Sequence, residues 1–199
     1  MENNTVIAIK NLVKQFPVGG CFFTALKGIN LTLEKGEFTG LVGPSGSGKT
    51  TVGKALASAL EIPFYDADDF HPLANIEKMK RGISLQDVDR ESWLDTLTNN
   101  LAKWETAAGA VLACSALKET YRTVLQSGVE NDVTWVYLYG RSKLIKERMA
   151  GRKGHYFKPD LVDSQFADLE PPQYGWHFNI SSSSDYIVKS ILDKLRHTD

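Results

Sequence analysis

The sequence predicts an α/β fold built around one open sheet with helices packed against it. Short apolar runs at 38–42, 62–65, 110–113 and 133–138 are typical of buried strands, and most of them lead into a stretch with helical spacing. Strands that alternate with helices in this way indicate a parallel sheet. The chain has 199 residues, which is long enough for one such domain.

The segment 43–50 reads Gly-Pro-Ser-Gly-Ser-Gly-Lys-Thr and matches the Walker A pattern G-x-x-x-x-G-K-[ST] at every fixed position. Glycines allow the backbone N–H groups to point at phosphate oxygens, and the following helix adds its positive N-terminal end. We expect Lys49 to reach the β- and γ-phosphates and Thr50 to hold Mg²⁺; the alternative is a chance glycine-rich turn. The predicted nucleotide site comprises Gly43, Ser45, Gly46, Ser47, Gly48, Lys49, Thr50 and Thr51.

Composition excludes several classes of protein. The formal net charge is -1, which gives no general reason to expect a nucleic acid or an acidic membrane surface as a partner. Cys21 and Cys114 lie far apart and form no C-x-x-C unit, so neither a disulfide framework nor a zinc site is indicated. The N-terminus lacks a signal pattern, and no run reaches the ~18 to 20 apolar residues of a membrane helix. We expect a cytoplasmic protein.

Acidic residues follow the second strand-like run. Asp66 and Asp68 come directly after residues 62–65, and Asp69 is next. The carboxyl ends of parallel strands face the ligand crevice, so the first two carboxylates are expected near the γ-phosphate end of the loop. There they can orient Mg²⁺ or accept a hydroxyl proton. The alternative is a turn or helix-capping role, which we favour for Asp69.

Three cations are candidates for binding an anion. Arg90 lies in the opening turn of a predicted long helix, where a cation needs an anionic partner; that partner is either a substrate or the neighbouring Asp87 or Asp89. Lys118 and Arg122 are four residues apart, which places them on one face of the helix after the strand 110–113. Such a pair is usually a solvated surface, but its place beside the crevice favours contact with an anion.

A further basic cluster follows the predicted helix 141–150. Arg148 is near the end of that helix, and Gly151 and Gly154 flank Arg152. Cations at a helix C-terminus are favourable in themselves, which accounts for part of the cluster. The glycines suggest a mobile flap that closes on ATP and brings positive charge to the transferring phosphoryl group.

Residues 1–37 differ in character from the rest of the chain. They are predicted to be extended segments joined by turns, and the stretch ALKGINLTLEKGEFTGLVGPSGSGKTT resembles the start of an ATP-binding-cassette (ABC) transporter ATPase. In that family an aromatic residue at the position of Phe16 stacks on adenine; the alternative is an aromatic packed under its own hairpin. The LSGGQ-type signature and a strand that ends in Asp-Glu are absent downstream, so this resemblance ends at the glycine-rich loop.

From Gly43 onward the motifs belong to a different pattern. They are DADDFHP with NIEKM, LQDVDRESWL, CSALKETYR, and RMAGRKGHYF with SQFADLEPP, and together they resemble bacterial gluconokinases of the small P-loop kinase type. The resemblance implies a three-layer P-loop NTPase fold with helices on both faces of a parallel sheet, the strand 38–42 at its centre, and a lid at about 151–170. It also implies transfer of the ATP γ-phosphoryl group to the 6-hydroxyl of D-gluconate.

Gluconate carries a carboxylate and a row of hydroxyls, so its site needs cations at one end and hydrogen-bonding groups along its length. On this resemblance Asp66 or Asp68 is the base, Thr50 and Asp66 hold Mg²⁺, and Arg148 with Arg152 forms the lid site near adenine and the phosphates. The predicted catalytic residues are Lys49, Asp66, Asp68 and Arg152. The predicted gluconate-binding residues are Asp68, His71, Arg90, Lys118, Arg122 and His155.

The two resemblances meet at the glycine-rich loop. We interpret the chain as a hybrid, natural or engineered, with an ABC-like β extension at 1–37 and a P-loop kinase domain at 38–199. A homodimer is compatible with the second resemblance. Two alternatives stay open: a related kinase with another acceptor, and an ATP-binding hybrid with little or no catalysis.

Overall fold

A computed structural model describes residues 5–18, 21–34, 38–107, 109–150 and 161–195, the first two ranges as backbone strands only. Within these ranges a five-stranded sheet consists of β3 (Phe38–Val42), β4 (Phe64–Asp66), β5 (Ala110–Ala113), β6 (Val133–Tyr139) and β7 (Trp176–Asn179). The strand order is β4-β5-β3-β6-β7, and every neighbouring pair is parallel. The predicted parallel sheet is therefore confirmed, with the strand before the glycine-rich loop at its centre.

Helices cover both faces of this sheet, as predicted. They are α1 (Lys49–Leu60), α2 (Leu73–Lys80), α3 (Asp87–Glu105), α4 (Glu119–Gln126), α5 (Ser142–Ala150), α6 (Leu161–Asp168) and α7 (Ser184–Leu195). One buried apolar cluster joins the sheet to α1, α5, α6 and α7, and a second joins its other face to α3 and α4. Successive strand residues point to opposite faces, so Val111 of β5 enters the first cluster while Leu112 enters the second.

The helix that follows the glycine-rich loop lies very close to the sheet. A Cβ added at Gly53 would lie 2.5 Å from the Phe64 ring and 2.9 Å from Leu41 Cδ1. Any larger residue there would push α1 away from β3 and β4. The first turn of α1 is therefore held near the carboxyl ends of those strands, where the predicted site residues are found.

Some element boundaries differ from the predictions. The strand predicted at 62–65 is observed as Phe64–Asp66, because Ile62 and Pro63 belong to the connection from α1. A short 3₁₀ helix, Ala67–Phe70, then carries the chain into α2. This turn takes Asp66 and Asp68 to different positions although only one residue separates them.

The predicted extended segments at the N-terminus form an antiparallel pair, β1 (Thr5–Val18) and β2 (Cys21–Glu34). Among the described strands, these two pair with each other and not with the five-stranded sheet. Phe16 is opposite Phe23 in the register. The side chain of Phe16 is outside the described part of the structure, so its stacking on adenine stays a prediction. None of the helices in the described ranges is both long and apolar enough to cross a membrane.

Candidate active site

The glycine-rich loop between β3 and α1 curls around its own lysine. Gly43, Gly46 and Gly48 have φ values of 143°, 87° and 95°, in the region that favours glycine. A Cβ at Gly43 would also lie 2.5 Å from the carbonyl oxygen of Leu138. Lys49 Nζ donates hydrogen bonds to the carbonyl oxygens of Gly43 at 2.8 Å and Pro44 at 3.1 Å. The loop thus surrounds a positive charge at the N-terminus of a helix.

The interior of the loop fits a phosphate group. Ser47 is 2% exposed, and its Oγ is the one buried side-chain N or O atom of the described residues that has no hydrogen-bond partner. Gly48, the N-cap of α1, provides no side chain to bond the first N–H groups of that helix. An unpartnered hydroxyl, uncapped N–H groups and an ammonium group together are suited to binding an anion.

A pair of oxygen ligands lies beside the loop. Thr50 Oγ1 donates a hydrogen bond to Asp66 Oδ2 at 2.8 Å, and Asp66 Oδ1 accepts one from the backbone N–H of Asp68 at 3.2 Å. Mg²⁺ usually takes one or two protein oxygen ligands together with substrate phosphates and water. The described residues contain no cluster of three or more His, Cys, Asp or Glu suited to holding a metal by themselves. The Thr50 and Asp66 pair therefore fits a metal ion that arrives with a phosphate substrate.

A cavity opens from the glycine-rich loop at Ser45 and continues between α2, α3, α6 and the loop after β5. Three of the residues predicted to bind the acceptor, Asp68, His71 and Arg90, lie in its wall. They come from different elements, since Asp68 is in the 3₁₀ helix, His71 follows it and Arg90 is on α3. The structure thus brings together a carboxylate, an imidazole and a guanidinium next to the loop.

His71 is a neutral hydrogen-bonding group in this cavity. Burial, and secondarily the positive charge of Arg90, lowers its pKa from 6.5 to about 4. Its ring stacks on Trp93 with centroids 4.5 Å apart, and Nδ1 is 3.5 Å from Asn75 Nδ2. Trp93 is in turn fixed by donating a hydrogen bond to the carbonyl oxygen of Ala67 at 2.8 Å. At neutral pH the imidazole can exchange hydrogen bonds with hydroxyls but adds no charge.

Arg90 supplies positive charge to the cavity wall. Its Nη1 donates to the carbonyl oxygen of Leu85 at 2.6 Å, and its guanidinium carbon lies 5.6 Å from the centre of the Tyr121 ring. The alternative ion pairs considered for it are not formed. Asp87 accepts from Lys118 at 2.7 Å, and Asp89 pairs with Lys78. These lysines lower the pKa of both carboxyls below its usual range, chiefly through the hydrogen bonds that they donate.

Lys118 and Arg122 do not share a cationic face, in contrast to the expectation from their spacing. Lys118 is the N-cap of α4 and bonds both carboxylate oxygens of Asp87, at 2.7 and 2.9 Å. Arg122 is only 1% exposed and donates to the carbonyl oxygens of Ala116 at 2.7 Å and Glu170 at 2.8 Å. The structure therefore places Arg122 behind the cavity wall, where it supports the loop after β5.

That loop is strained where it meets the cavity. Ala116 has a φ of 31°, which is unusual for a residue with a side chain, and it lies in the cavity wall between Ser115 and Leu117. Arg122 bonds the carbonyl oxygens of both Ala116 and Leu117. A buried guanidinium thus holds an unfavourable backbone conformation in place.

Arg148, one of the predicted lid residues, lies beside the glycine-rich loop. Its Nη2 donates to the carbonyl oxygen of Ile180 at 2.8 Å, and a Cβ built on Gly48 would lie 4.0 Å from its Nη1. This places a cation at the entrance to α1. Arg152 and His155, the other predicted residues of this region, are outside the described ranges.

Two contributors to the site were not predicted from the sequence. Ser115 lies in the cavity wall, and Gln165 of α6 joins the wall to the loop. Ser45 N–H donates to Gln165 Oε1 at 2.7 Å, and Gln165 Nε2 donates to Ser45 Oγ at 3.2 Å. The available signal was the motif SQFADLEPP, which contains Gln165. Its helical spacing places Leu161, Ser164, Gln165 and Asp168 on one face.

Comparisons with known proteins agree with this architecture. The shikimate kinase family model matches residues 45–170. A probable gluconokinase of Dictyostelium discoideum is 40% identical over 169 residues, covering 78% of this chain and 84% of the relative. The thermoresistant gluconokinase of Escherichia coli is 41% identical over 133 residues, covering 66% of this chain and 75% of the relative. The crystal structure of a gluconokinase from Sinorhizobium meliloti has a TM-score of 0.72 at 35% identity, covering 81% of this chain and 91% of its own.

Proposed function

Because this chain belongs to the shikimate kinase family and to the gluconokinases, we propose that it transfers the γ-phosphoryl group of ATP to the 6-hydroxyl of D-gluconate. The products are ADP and 6-phosphogluconate. The family establishes a kinase that phosphorylates an alcohol, and the identity of the acceptor rests on the gluconokinase relatives.

One observation carries the proposal at the level of structure. The loop suited to phosphate and the cavity lined by Asp68, His71 and Arg90 share a boundary at Ser45. Phosphoryl transfer depends mainly on holding an acceptor hydroxyl in line with the γ-phosphate and neutralising the charge that develops. Two adjoining sites, one for phosphates and one for a polar acceptor, meet that requirement.

The cavity has the chemical groups that gluconate needs. We assign the gluconate carboxylate to Arg90, whose planar guanidinium can bond both carboxylate oxygens. Neutral His71 and the hydroxyl of Ser115 are suited to the row of sugar hydroxyls. Lys118 and His155 stay proposed gluconate ligands, whereas Arg122 is better suited to supporting the wall from behind.

The two aspartates divide the work in this proposal. Asp68, which lies in the cavity wall, accepts the proton of the 6-hydroxyl as that oxygen attacks the γ-phosphorus. Asp66 and Thr50 hold Mg²⁺, which when bound neutralises charge on the phosphate oxygens. Lys49 and the N–H groups of the loop bind the phosphates.

Arginines complete the phosphate site. Arg148 lies beside Gly48, and Arg152 belongs to the proposed lid at about 151–170. We assign to both arginines the stabilisation of the transferring phosphoryl group and contact with the adenine side. Thr51, at the start of α1, completes the set of proposed nucleotide-binding residues. We expect Arg152→Ala to reduce kcat more than ATP affinity.

The N-terminal part of the chain has a separate interpretation. We propose that residues 1–37 are an ABC-like β extension in front of a kinase domain at 38–199, and that Phe16 is a candidate platform for adenine. The antiparallel pairing of β1 with β2 supports an independent hairpin. We also propose a cytoplasmic enzyme that acts on a small molecule, binds neither nucleic acid nor membrane, and is compatible with a homodimer.

The test is ATP consumption with Mg²⁺ in the presence and absence of D-gluconate, coupled to detection of 6-phosphogluconate. We expect turnover that depends on gluconate, with shikimate as the comparison acceptor because of the family model. Turnover with shikimate or another polyol acid, and none with gluconate, would contradict the assignment. ATP binding without transfer to any acceptor would indicate a nucleotide-binding hybrid.

The division between the aspartates is tested by matched substitutions. Asp68→Asn is expected to abolish turnover at every Mg²⁺ concentration, since the base is lost. Asp66→Asn is expected to be partly restored by high Mg²⁺, because it weakens metal binding. Asp69→Asn is the control, since Asp69 is exposed on the same turn. If high Mg²⁺ restored the activity of Asp68→Asn, the roles of the two aspartates would be the reverse of those proposed.

A further inference from the structure

We propose that Gln165 is a positioning residue that links the acceptor cavity to the phosphate loop and makes the binding of each substrate favour the other. The inference rests on the proposed function, because it concerns the two substrates of that reaction. It extends the site to a helix, α6, that lies more than a hundred residues from the loop in sequence.

Gln165 forms a double link to the loop. Its Oε1 accepts a hydrogen bond from the Ser45 N–H at 2.7 Å, and its Nε2 donates one to Ser45 Oγ at 3.2 Å. The side chain of Gln165 is 7% exposed, and both bonds are partly buried. The oxygen and the nitrogen of the Gln165 amide thus bond the same serine. Because this amide is buried, it fixes the orientation of the Ser45 peptide group.

The same helix forms a wall of the acceptor cavity. Leu161, Ser164, Gln165 and Asp168 follow helical spacing along one face of α6, and all four lie in the cavity wall. Ser164 Oγ accepts a hydrogen bond from Ser84 Oγ at 3.0 Å, which joins this face to the opposite side of the cavity. We expect an acceptor that fills this cavity to contact the helix that carries Gln165.

The helix α6 is also anchored to the rest of the domain. Val162 belongs to the buried apolar cluster, as does Leu161 of the cavity face, and Phe166 packs against it. Asp163 pairs with Lys146 of α5 at 2.7 Å on the outside. A helix held at these points moves as a unit, so restraint by an acceptor is transmitted to the Gln165 side chain.

Ser45 is the residue at which this restraint has a chemical effect. It belongs to the loop whose N–H groups face the proposed phosphate site, and it also lies in the cavity wall. With the Ser45 peptide group held by Gln165, the loop loses less conformational freedom when it closes on phosphate. Coupling between two sites is reciprocal, so ATP must strengthen acceptor binding by the same factor.

The experiment measures this factor by calorimetry. The affinity of wild-type protein for a non-hydrolysable ATP analogue with Mg²⁺ is determined with and without saturating D-gluconate. We expect the acceptor to tighten nucleotide binding about 5-fold or more, within the usual range of coupling between sites. Gln165→Met keeps the length of the side chain and removes both hydrogen bonds. For this variant we expect the ratio of the two affinities, with and without gluconate, to be near one. A ratio equal to that of wild type would overturn the proposal.

Two further variants separate positioning from general damage to the fold. Gln173→Met makes the same substitution at an exposed glutamine, and it should leave the ratio as in wild type. Gln165→Glu keeps an acceptor for the Ser45 N–H, and it should recover part of the coupling that Gln165→Met loses. Equal loss in Gln165→Met and Gln165→Glu, accompanied by a lower melting temperature in both, would indicate a merely structural residue and contradict the proposal.

A second measurement does not depend on the acceptor. Amide hydrogen exchange of a peptide covering 43–50 should be faster in Gln165→Met than in wild type, both free and with the ATP analogue, because the Ser45 N–H has lost its partner. Equal exchange rates would overturn the role of Gln165 whatever the acceptor is. Absence of gluconate-dependent turnover by wild type, with faster exchange in the variant, would instead overturn the proposed acceptor alone.

Discussion

The phosphate side and the acceptor side of the site are built in opposite ways. The phosphate side comes from one continuous segment, in which Lys49 bonds the carbonyl oxygens of Gly43 and Pro44 only a few residues away. The acceptor side is assembled from the 3₁₀ helix, α3, α6 and the loop after β5. The continuous segment depends mostly on its own residues, with Gln165 as a distant partner of Ser45, whereas the assembled wall depends throughout on residues that are far apart in sequence.

The two basic residues Lys49 and Arg122 illustrate the difference. Lys49 stays within its own loop, at the start of α1. Arg122 is buried and joins the backbone at 116–117 to Glu170, across about fifty residues of sequence. We therefore expect substitution of the lysine to affect catalysis with little effect on stability, and substitution of the arginine to affect stability first.

The largest effect of a substitution on the phosphate side is expected from Lys49→Met. Loss of a preorganised charge at the phosphate site typically costs about 10²- to 10³-fold in kcat. Steady-state kinetics with ATP and gluconate measures this, and circular dichroism should show an unchanged fold. Lys54→Met, an exposed lysine on the same helix, is the matched control. An equal loss of activity in both variants would mean that Lys49 acts through general electrostatics and not through phosphate contact.

Arg122→Met is expected to lower the free energy of unfolding by about 3 kcal/mol, because several buried carbonyl oxygens lose their donor. Urea denaturation measures the loss. The KM for gluconate should also rise, since the strained backbone at Ala116 is no longer held. Arg141→Met provides an exposed control. Unchanged stability with a higher KM would instead identify Arg122 as a direct ligand of the substrate.

On the acceptor side, Arg90→Met tests the contact with the gluconate carboxylate. Loss of a charge-assisted hydrogen bond to the gluconate carboxylate should raise the KM for gluconate about 10- to 100-fold and leave the KM for ATP at saturating gluconate nearly unchanged. Initial rates at varied concentrations of each substrate measure both constants. Arg81→Met, an exposed arginine after α2, is the control. A parallel rise in the KM for ATP would place Arg90 at the boundary between the two sites.

The effect that is smallest at neutral pH concerns His71. Its pKa in the folded protein is lowered from 6.5 to about 4, so between these values the unfolded chain binds a proton that the folded chain does not. This contribution therefore destabilises the fold as pH falls from about 6.5 to 4, by at most about 1.4 kcal/mol per pH unit, and it is constant above that range.

In His71→Gln the unfolding free energy should depend less steeply on pH within this window. Urea denaturation of both proteins at several pH values gives the two slopes. Identical slopes would show that the imidazole is protonated in the folded state, in conflict with its burial beside Arg90.

The sequence by itself determined the α/β fold, the glycine-rich loop and the placement of Asp66 and Asp68 at the end of a strand. These features follow from local requirements: buried strands need apolar runs, a tight phosphate loop needs glycine at positive φ, and helical spacing predicts which face of α1 is buried. Residues close in sequence satisfy them, so the pattern is visible without the fold.

Tertiary structure alone decided how the acceptor side is assembled. The spacing of Lys118 and Arg122 was compatible with a shared face, but packing buried Arg122 behind the wall and left Lys118 with Asp87. Gln165 meets Ser45 only because α6 packs into the same apolar cluster as α1 and α5. A buried polar group must find partners wherever the fold brings them, and the sequence carries no local signal for a partner more than a hundred residues away.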